Sequence, residues 1–167
     1  TKHSLFALWK HSLDDDVLDL SYRYTTDDWQ IASHTVELRY RWDPFVREQR
    51  LLDGATAAGK GVRTWTRSRH RLTMVSEYVT YRPPSHVGMK MVTGPWFFKT
   101  FSGGWNFVPA AGGGTEATWR YNFTVRPRWL APAADRVGVW LLGRDIRRRL
   151  DAFARACADP DIVRRVA

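Results

Sequence analysis

The sequence predicts one α+β domain in which a curved antiparallel β-sheet wraps around a long C-terminal α-helix. The chain has 167 residues, which is enough for one hydrophobic core with a cavity and too few for two domains. Between residues 45 and 125, apolar and polar side chains alternate in successive short runs, as they do in half-buried strands. After residue 133, apolar side chains recur at spacings of three and four, which is typical of a helix with one buried face.

The N-terminal part supplies a strand, a helix and a second strand. Residues 17–25 alternate well enough for a first strand, and Thr26-Asp27-Asp28 provides an N-cap for a helix over residues 29–38. Helical structure is expected to end shortly before Pro44, because proline disfavours the helical conformation of the residue that precedes it. The chain therefore continues as a strand over residues 45–52 in this prediction.

The central part predicts four antiparallel strands, of which the first two form a hairpin that turns at His70. Gly94-Pro95 and Gly103-Gly104 interrupt this region, and we interpret them as bends or bulges in a strongly curved sheet. Such curvature makes room for a cavity. The expected ranges of the four strands are 62–69, 72–82, 86–92 and 97–108.

A last strand and a helix complete the pattern. Residues 115–125 place Ala117, Trp119, Tyr121 and Phe123 on one face. The helix is expected over residues 133–157, and its apolar stripe must lie on the concave face of the sheet. The stripe consists of Val139, Leu142, Ile146, Leu150, Phe153 and Cys157.

Several short motifs occur in an order found in one protein superfamily. In Arg41-Trp42-Asp43-Pro44-Phe45-Val46-Arg47-Glu48, a helical run turns into a strand with Trp42 at the corner. Arg82-Pro83-Pro84, Gly94-Pro95-Trp96-Phe97-Phe98 and Gly113-Gly114-Thr115 follow, ahead of the Leu- and Arg-rich helix. This order resembles the START-like (SRPBCC) superfamily, specifically its polyketide cyclase/dehydrase and lipid-transport branch.

The resemblance covers residues 17–157 and implies a START-like helix-grip fold with an internal hydrophobic cavity. It divides the chain into an N-terminal extension of unknown role, residues 1–16, a START-like ligand-binding domain, residues 17–158, and a C-terminal tail, residues 159–167. The same fold hosts carriers and enzymes, so the resemblance leaves the choice between them open.

Composition and charge narrow the class of protein. The chain is 44% hydrophobic and 26% charged, and no apolar run approaches the about 20 residues of a membrane span, so we expect a soluble globular protein. Cys157 is the only cysteine, which fits a reducing cytoplasm and a small buried hydrophobe. No signal peptide is visible. The net charge of +9 is interpreted as a solvated basic helix face that includes Arg144, Arg147, Arg148 and Arg149.

The aromatic content is the strongest functional signal. Nine Trp, six Tyr and eight Phe residues in one small domain suit a cavity that stacks ring-bearing ligands, although the same side chains can simply form core. The methionines of the 86–92 strand would adapt to varied ligands or fill core. Our candidate ligand-binding residues are Trp42, Trp65, Met89, Met91, Trp96, Phe98, Phe101, Trp105, Trp119, Tyr121 and Phe123.

The strand over residues 62–69 has two polar faces. Arg63, Trp65, Arg67 and Arg69 share one face, and Val62, Thr64, Thr66 and Ser68 share the other. If the arginines face inward they need an anionic group on a ligand; if they face outward they form a solvated stripe with cation–π contact to Trp65. The outward arrangement is favoured, because three buried unpaired guanidinium groups would be very costly. The resemblance to aromatase/cyclases makes Arg67, Arg69 and Tyr78 the candidate catalytic residues.

Other chemistry is weakly supported by the sequence. The five histidines lack metal-ligand spacing, no serine occupies a nucleophile elbow, and the Gly112-Gly113-Gly114 run precedes a strand instead of a helix, so we expect no metal and no cofactor. Nucleic-acid binding has only one short aromatic and basic segment in its favour.

We therefore expect binding of a hydrophobic aromatic, polyketide-like or lipid molecule. The alternative is an aromatase/cyclase that promotes aldol cyclisation and dehydration of a poly-β-ketone. An acyl carrier protein or an anionic membrane would be a suitable partner for the basic face.

Overall fold

The computed structural model describes the backbone of residues 4–11 and 16–26, and both the backbone and the side chains of most residues from 43 to 126. Residue 84, residue 110 and residues 112–114 lie outside the described set, as does the side chain of Thr115. Toward the C-terminus the described positions are residues 129, 144–145, 148–149, 151–153, 155–156, 159 and 161. The predicted helix over residues 29–38 and the candidate Trp42 therefore lie outside the described residues.

In the part of the chain that the structure describes, eight strands form one antiparallel sheet with the order β1-β2-β8-β7-β6-β5-β4-β3. Six of them agree closely with the alternating runs of the sequence between residues 45 and 125. The strand predicted over residues 17–25 is β2, and it pairs with β8 near the other end of the sheet. The bounds are β1 Ser4–His11, β2 Asp16–Thr26, β3 Val46–Leu51, β4 Arg63–Ser68, β5 Thr73–Arg82, β6 His86–Thr93, β7 Phe98–Pro109 and β8 Thr115–Val125.

Strand β1 lies within the segment for which the sequence predicted no role. All eight of its residues pair with β2, from Ser4 opposite Arg23 to His11 opposite Asp16. The segment thereby adds an edge strand to the sheet.

A side-chain turn sets the start of β3. The backbone N–H of Phe45 donates to Asp43 Oδ1 at 2.9 Å, and the N–H of Val46 donates to the Asp43 carbonyl at 3.1 Å. An aspartate that bonds the backbone two residues later stabilises a turn, and Pro44 disfavours the helical conformation at Asp43. The predicted role of Asp43 as a turn residue is confirmed.

The β4–β5 hairpin turns where the sequence predicted. Ser68 closes it, because its N–H donates to the Leu72 carbonyl at 2.8 Å and its Oγ accepts from the Leu72 N–H at 3.1 Å. Arg71 takes the left-handed conformation that the tight turn requires, with φ of 63°.

Register shifts bend the sheet at four places, one in the β3–β4 pair, two in the β5–β6 pair and one in the β7–β8 pair. Bulges of this kind increase local twist and bend the strand that carries them. Gly103 and Gly104 do not interrupt β7, contrary to the predicted bend or bulge there, because they pair in register with Tyr121 and Arg120. The irregularity in β7 lies between Phe98 and Thr100 instead.

Two described residues near the C-terminus, Arg149 and Phe153, lie against the aromatic part of the sheet. Residues 144–145, 148–149, 151–153 and 155–156 are helical. Phe153 is fully buried, and its ring centroid lies 4.7 Å from that of Trp105. The burial of Phe153 agrees with the predicted apolar stripe. The other residues of the predicted helix over residues 133–157, apart from the helical positions just given, lie outside the described residues. Within the described part of the chain, no helix has the length and apolar character needed to cross a membrane.

Candidate functional site

A cavity of about 380 Å³ lies between strands β3–β8 and the C-terminal helical residues. The sheet supplies mainly apolar side chains from alternate positions of neighbouring strands, and the helical residues supply Asp145 and Arg149. Because side chains alternate between the two faces of a strand, the sheet register decides which ones reach the cavity. The cavity is therefore a product of the strand pairing described above.

Aromatic rings from β7 and β8 form one continuous wall. Trp105 lies directly opposite Trp119 in the register, and their rings stack with centroids 4.5 Å apart. The stack continues from Trp119 to Tyr121 at 4.8 Å and from Tyr121 to Phe101 at 5.2 Å. These contacts fall within the range for favourable offset or tilted aromatic pairs, so the wall is rigid as well as apolar.

Gly103 leaves room for one of these rings. A Cβ atom at Gly103 would lie 2.5 Å from Tyr121 Cδ1 and 2.8 Å from the Arg120 carbonyl oxygen. Both distances are too short for carbon, so only glycine lets the Tyr121 ring lie over the backbone of β7. This close approach keeps Tyr121 against the wall of the cavity.

A second wall is more adaptable. Met74 of β5 and Met89 and Met91 of β6 line the cavity, together with the half-buried Ser76 and the buried Tyr78. Tyr78 pairs with Met89 and Ser76 pairs with Met91, which places these side chains side by side. Unbranched thioether side chains adjust to the shape of what they contact, so this wall can accommodate variation in a ligand.

A buried ion pair joins the helical residues to the turn before β3. Arg149 donates from Nε and Nη2 to Asp43 Oδ2, at 3.0 Å and 2.6 Å. Asp43 is 3% exposed and Arg149 is 6% exposed. Hydrogen-bonded pairing is what makes two buried charges tolerable in a protein interior. Since Arg149 also lines the cavity, a guanidinium group forms part of its surface.

Aromatic rings hold the Arg149 guanidinium in place. Its central carbon lies 4.4 Å from the ring centroid of Trp119 and 4.9 Å from that of Phe45. Cations over aromatic faces are attracted by the ring electrons, most strongly when water is excluded. The group is thus fixed in orientation by Asp43 at its edge and by the rings at its faces.

Polar groups of β3 and β4 also reach the cavity. Gln49, Thr66 and Ser68 line it, and Gln49 lies opposite Thr66 in the register. Among the described residues, Gln49 Oε1 is buried and has no hydrogen-bond partner. An unpaired buried acceptor is unusual in a folded protein and costs free energy, so it marks a position where a donor is missing.

Most of the residues predicted to bind a ligand line the cavity, as does one of the three predicted catalytic residues. Whether they bind or catalyse stays a prediction. The predicted residues that line the cavity are Tyr78, Met89, Met91, Phe98, Phe101, Trp105, Trp119, Tyr121 and Phe123.

Four other predicted residues do not line it. Thr66 and Ser68 face the cavity, so Trp65 and Arg67 lie on the opposite face of β4, where Trp65 contacts the guanidinium of Arg50 at 4.7 Å. The outward arrangement favoured from the sequence is therefore the one that the structure has.

Arg69 and Trp96 lie at the edge of the site. Arg69 lies in the hairpin turn, 41% of its side chain is exposed, and its Nη2 lies 3.4 Å from Asp145 Oδ1. Trp96 is 67% exposed, while its neighbours Pro95 and Phe97 line the cavity.

Arg149 is the residue that the sequence analysis placed incorrectly. It was assigned to the solvated basic face, and this prediction was wrong, because Asp43, Trp119 and Phe45 enclose it. A signal was present, since position 149 lies three residues after Ile146 and four before Phe153 and so falls on the apolar stripe. Gln49 is a second cavity-lining residue absent from the candidates chosen from the sequence, and the residue pattern of β3 gives no comparable indication of its position.

Comparisons with known proteins identify the fold and the family. The sequence matches the family model described as polyketide cyclase/dehydrase and lipid transport over residues 28–158. The chain belongs to this family. The matched range contains every strand and helical residue that lines the cavity. A model of a protein family of unknown function matches residues 1–47. No curated protein matches the sequence.

Solved structures show the START-like fold of the polyketide cyclase/dehydrase and lipid transport family. The ZhuI aromatase/cyclase from Streptomyces sp. R1128 superposes with a TM-score of 0.69 at 14% identity, covering 85% of this chain and 94% of that one. A START superfamily protein from Mycobacterium smegmatis gives 0.64 at 11% identity, covering 85% and 97%. The di-domain aromatase/cyclase StfQ from the steffimycin biosynthetic pathway gives 0.61 at 16% identity, covering 83% of this chain and 50% of that one. At these identities the likeness concerns the fold.

Proposed function

We propose that the protein binds a hydrophobic, ring-bearing small molecule in the cavity. The observation that carries this proposal is the wall of stacked aromatic rings from Phe101 to Trp105 and Trp119. The volume of about 380 Å³ lies at the low end of the about 300–1,000 Å³ that small-molecule sites occupy. A compact ring system fits such a space better than a lipid with two long chains.

Retained ligand is the direct test of binding. Native mass spectrometry of protein purified from its own host is expected to detect a bound molecule that denaturation releases. A ligand-free spectrum, together with no quenching of tryptophan fluorescence by naphthalene-based probes, would contradict the proposal. Trp105 and Trp119 report on the cavity because both lie in its wall.

A cavity-filling variant makes the test specific for the site. Ser76 of β5 lines the cavity, so Ser76→Phe places a ring in the space that a ligand would use. Val79 of the same strand is 37% exposed and does not line the cavity, so Val79→Phe is the matched control. We expect Ser76→Phe to abolish retention and Val79→Phe to preserve it.

Aromatase/cyclase activity is the second candidate, and one observation favours it. The buried Tyr78 and the guanidinium of Arg149 line the same cavity. A bound poly-β-ketone held in a near-attack geometry would form a carbon–carbon bond by aldol closure and then lose water. Arg149 would donate hydrogen bonds to the ketone oxygen as negative charge develops, and Tyr78 would transfer a proton. Arg67, proposed for this role from the sequence, lies on the other face of β4.

Product analysis separates the carrier from the enzyme. The protein is added to a polyketide-producing system, and the cyclised products are compared with those formed without it. Under the enzyme hypothesis the product spectrum changes, and Tyr78→Phe reduces the change while leaving ligand binding within a few fold. An unchanged product spectrum despite tight binding would leave the carrier function alone.

The basic surface supports a proposal about partners. Arg144, Arg148 and Arg155 are exposed on the helical residues, and the chain carries a net charge of +9. We include in the proposal an acidic partner, either an acyl carrier protein or an anionic membrane, and a cytoplasmic location in keeping with the lone Cys157.

A further inference from the structure

We propose that two polar groups select the ligand: Arg149 donates to an uncharged carbonyl oxygen of the ligand, and Gln49 accepts a hydrogen bond from a ligand hydroxyl group. This inference rests on the proposed binding function, because it assigns the chemistry of a molecule in that same cavity. It narrows the ligand from any hydrophobic ring system to a ring system that carries both a ketone or aldehyde and a hydroxyl group.

Arg149 has N–H donors that Asp43 does not use. A guanidinium has five N–H donors and no acceptor. Asp43 accepts from Nε and Nη2, and no other hydrogen bond of Arg149 is made to the described residues, which leaves Nη1 without a partner there. Arg149 is only 6% exposed, and Nη1 is not among the fully buried atoms that have no partner, so a ligand that covers Nη1 must supply an acceptor or lose free energy. The cavity, which Arg149 lines, is the place from which an acceptor can come.

The charges around Arg149 favour an uncharged acceptor on the ligand. Asp43 already neutralises Arg149, and Asp145 brings a further carboxylate to the cavity, paired with Arg69. A ligand carboxylate would place an additional negative charge beside a neutralised pair, and burial makes such a charge costly. A carbonyl oxygen accepts the same hydrogen bonds without adding a charge. An uncharged acceptor therefore fits this position better than an anion.

Gln49 offers a hydrogen-bond acceptor to the same cavity. The Gln49 side chain lines the cavity, and its buried Oε1 makes no hydrogen bond with the described residues. An amide oxygen can accept two hydrogen bonds, so leaving Gln49 Oε1 buried without a partner costs free energy that a ligand hydroxyl would recover. Gln49 and Arg149 thus offer an acceptor and a donor to one ligand.

The experiment compares four naphthalene probes of similar size on the wild-type protein near neutral pH. They are the hydrocarbon ethylnaphthalene, the ketone acetylnaphthalene, the anion naphthoate and a hydroxy-acetylnaphthalene. Affinities are measured by quenching of tryptophan fluorescence and by calorimetry. We expect the ketone to bind about fivefold tighter than the hydrocarbon, the hydroxy-ketone about fivefold tighter again, and the carboxylate at least about tenfold weaker than the ketone.

Two variants assign these preferences to residues. In Gln49→Leu, the affinity of the hydroxy-ketone relative to that of the ketone is expected to fall from about fivefold to about equal, whatever the added apolar surface does to both affinities. In Asp43→Asn, Arg149 is no longer neutralised, so the preference should reverse and naphthoate should bind more tightly than acetylnaphthalene. If Asp43→Asn does not fold, the order of the four probe affinities on the wild-type protein still tests whether the site prefers an uncharged acceptor.

The outcomes separate this inference from the proposed function. Equal binding of all four probes would leave a hydrophobic binding site and overturn the polar selection. Tightest binding by naphthoate on the wild type would overturn the uncharged acceptor. An unchanged hydroxyl preference in Gln49→Leu would overturn the role of Gln49. Failure of every probe, including the hydrocarbon, would overturn the cavity function and this inference together.

Discussion

Asp43 and Arg149 lie 106 positions apart in the sequence and form a buried ion pair, in which Arg149 Nη2 lies 2.6 Å from Asp43 Oδ2. The pair connects the turn that starts β3 to the C-terminal helical residues. Through Arg149 it also reaches Trp119 of β8, five positions away from β3 in the order of the sheet. One guanidinium group therefore contacts two distant parts of the curved sheet and helps to define the cavity between them.

We predict that substituting one member of this ion pair destabilises the protein more than expected from the effect of substituting both members together. Asp43→Ala leaves the buried guanidinium of Arg149 without its counter-charge, and Arg149→Met does the same to the carboxylate of Asp43. Each change should lower the free energy of unfolding by about 3–5 kcal/mol. The double variant leaves no unpaired charge and should cost clearly less than the sum of the two single changes. Urea unfolding of all four proteins measures the coupling, and additive costs would show that the two side chains do not interact.

Gly103→Ala is predicted to displace the Tyr121 ring, because the new Cβ would lie within 2.5 Å of it. Overpacking of this kind costs about 1–3 kcal/mol of stability, and the change should also alter ligand affinity at the aromatic wall. Gly59→Ala is the matched control, since its Cβ would meet only Val62 at an ordinary 3.7 Å. Equal stabilities of the two variants would contradict the packing of Tyr121 over β7.

Neighbouring residues of β4 should respond in opposite ways to substitution. Arg67→Ala changes the outer face and should leave both stability and probe affinity within about 0.5 kcal/mol of the wild type. Thr66→Leu adds apolar volume on the inner face and should change probe affinity by several fold, because Thr66 lines the cavity. A loss of turnover or binding in Arg67→Ala alone would restore the catalytic role that the sequence suggested for Arg67.

Attraction of the basic surface to an acidic partner is predicted to be salt-dependent. Exposed charges such as those of Arg144 and Arg148 are screened within about 8 Å at physiological ionic strength. Binding to phosphatidylglycerol vesicles or to an acidic carrier protein should therefore weaken sharply as salt is raised, and Arg148→Gln should weaken it further. Arg149→Gln would not serve for this test, because Arg149 is buried. Salt-independent binding would assign the contact to another surface.

The sheet could be predicted from the sequence because period-two alternation is a local property. In β8, residues 117–123 alternate so clearly that the common face of Trp119, Tyr121 and Phe123, which line the cavity, follows from the pattern alone. In β4, arginines alternate with threonines and both faces are polar, so hydropathy gives no decisive preference. There, the pairing of Thr66 with Met74 determines which face of β4 points inward, and the residue pattern of β4 alone does not reveal this pairing.

The polar part of the site could not be predicted because its contacts are long-range. Arg149 stands in a run of arginines, and charge alone places such a run in solvent. Only the meeting with Asp43, Phe45 and Trp119 makes its burial favourable, and no local pattern reports a partner 106 positions away. Gln49 is polar in a half-buried strand, where its depth depends on the register shift between Val46 and Glu48.

The long separation of Asp43 and Arg149 also governs the order of events during synthesis of the chain. All eight strands leave the ribosome before Arg149 does, so the sheet can pair while its aromatic face is still uncovered. Until Arg149 and Phe153 arrive, the rings of Trp105 and Trp119 remain open to water and to other nascent chains. Contacts of such high sequence separation slow folding. Expression at lower temperature, or with chaperones that shield exposed apolar surface, should therefore raise the yield of folded protein.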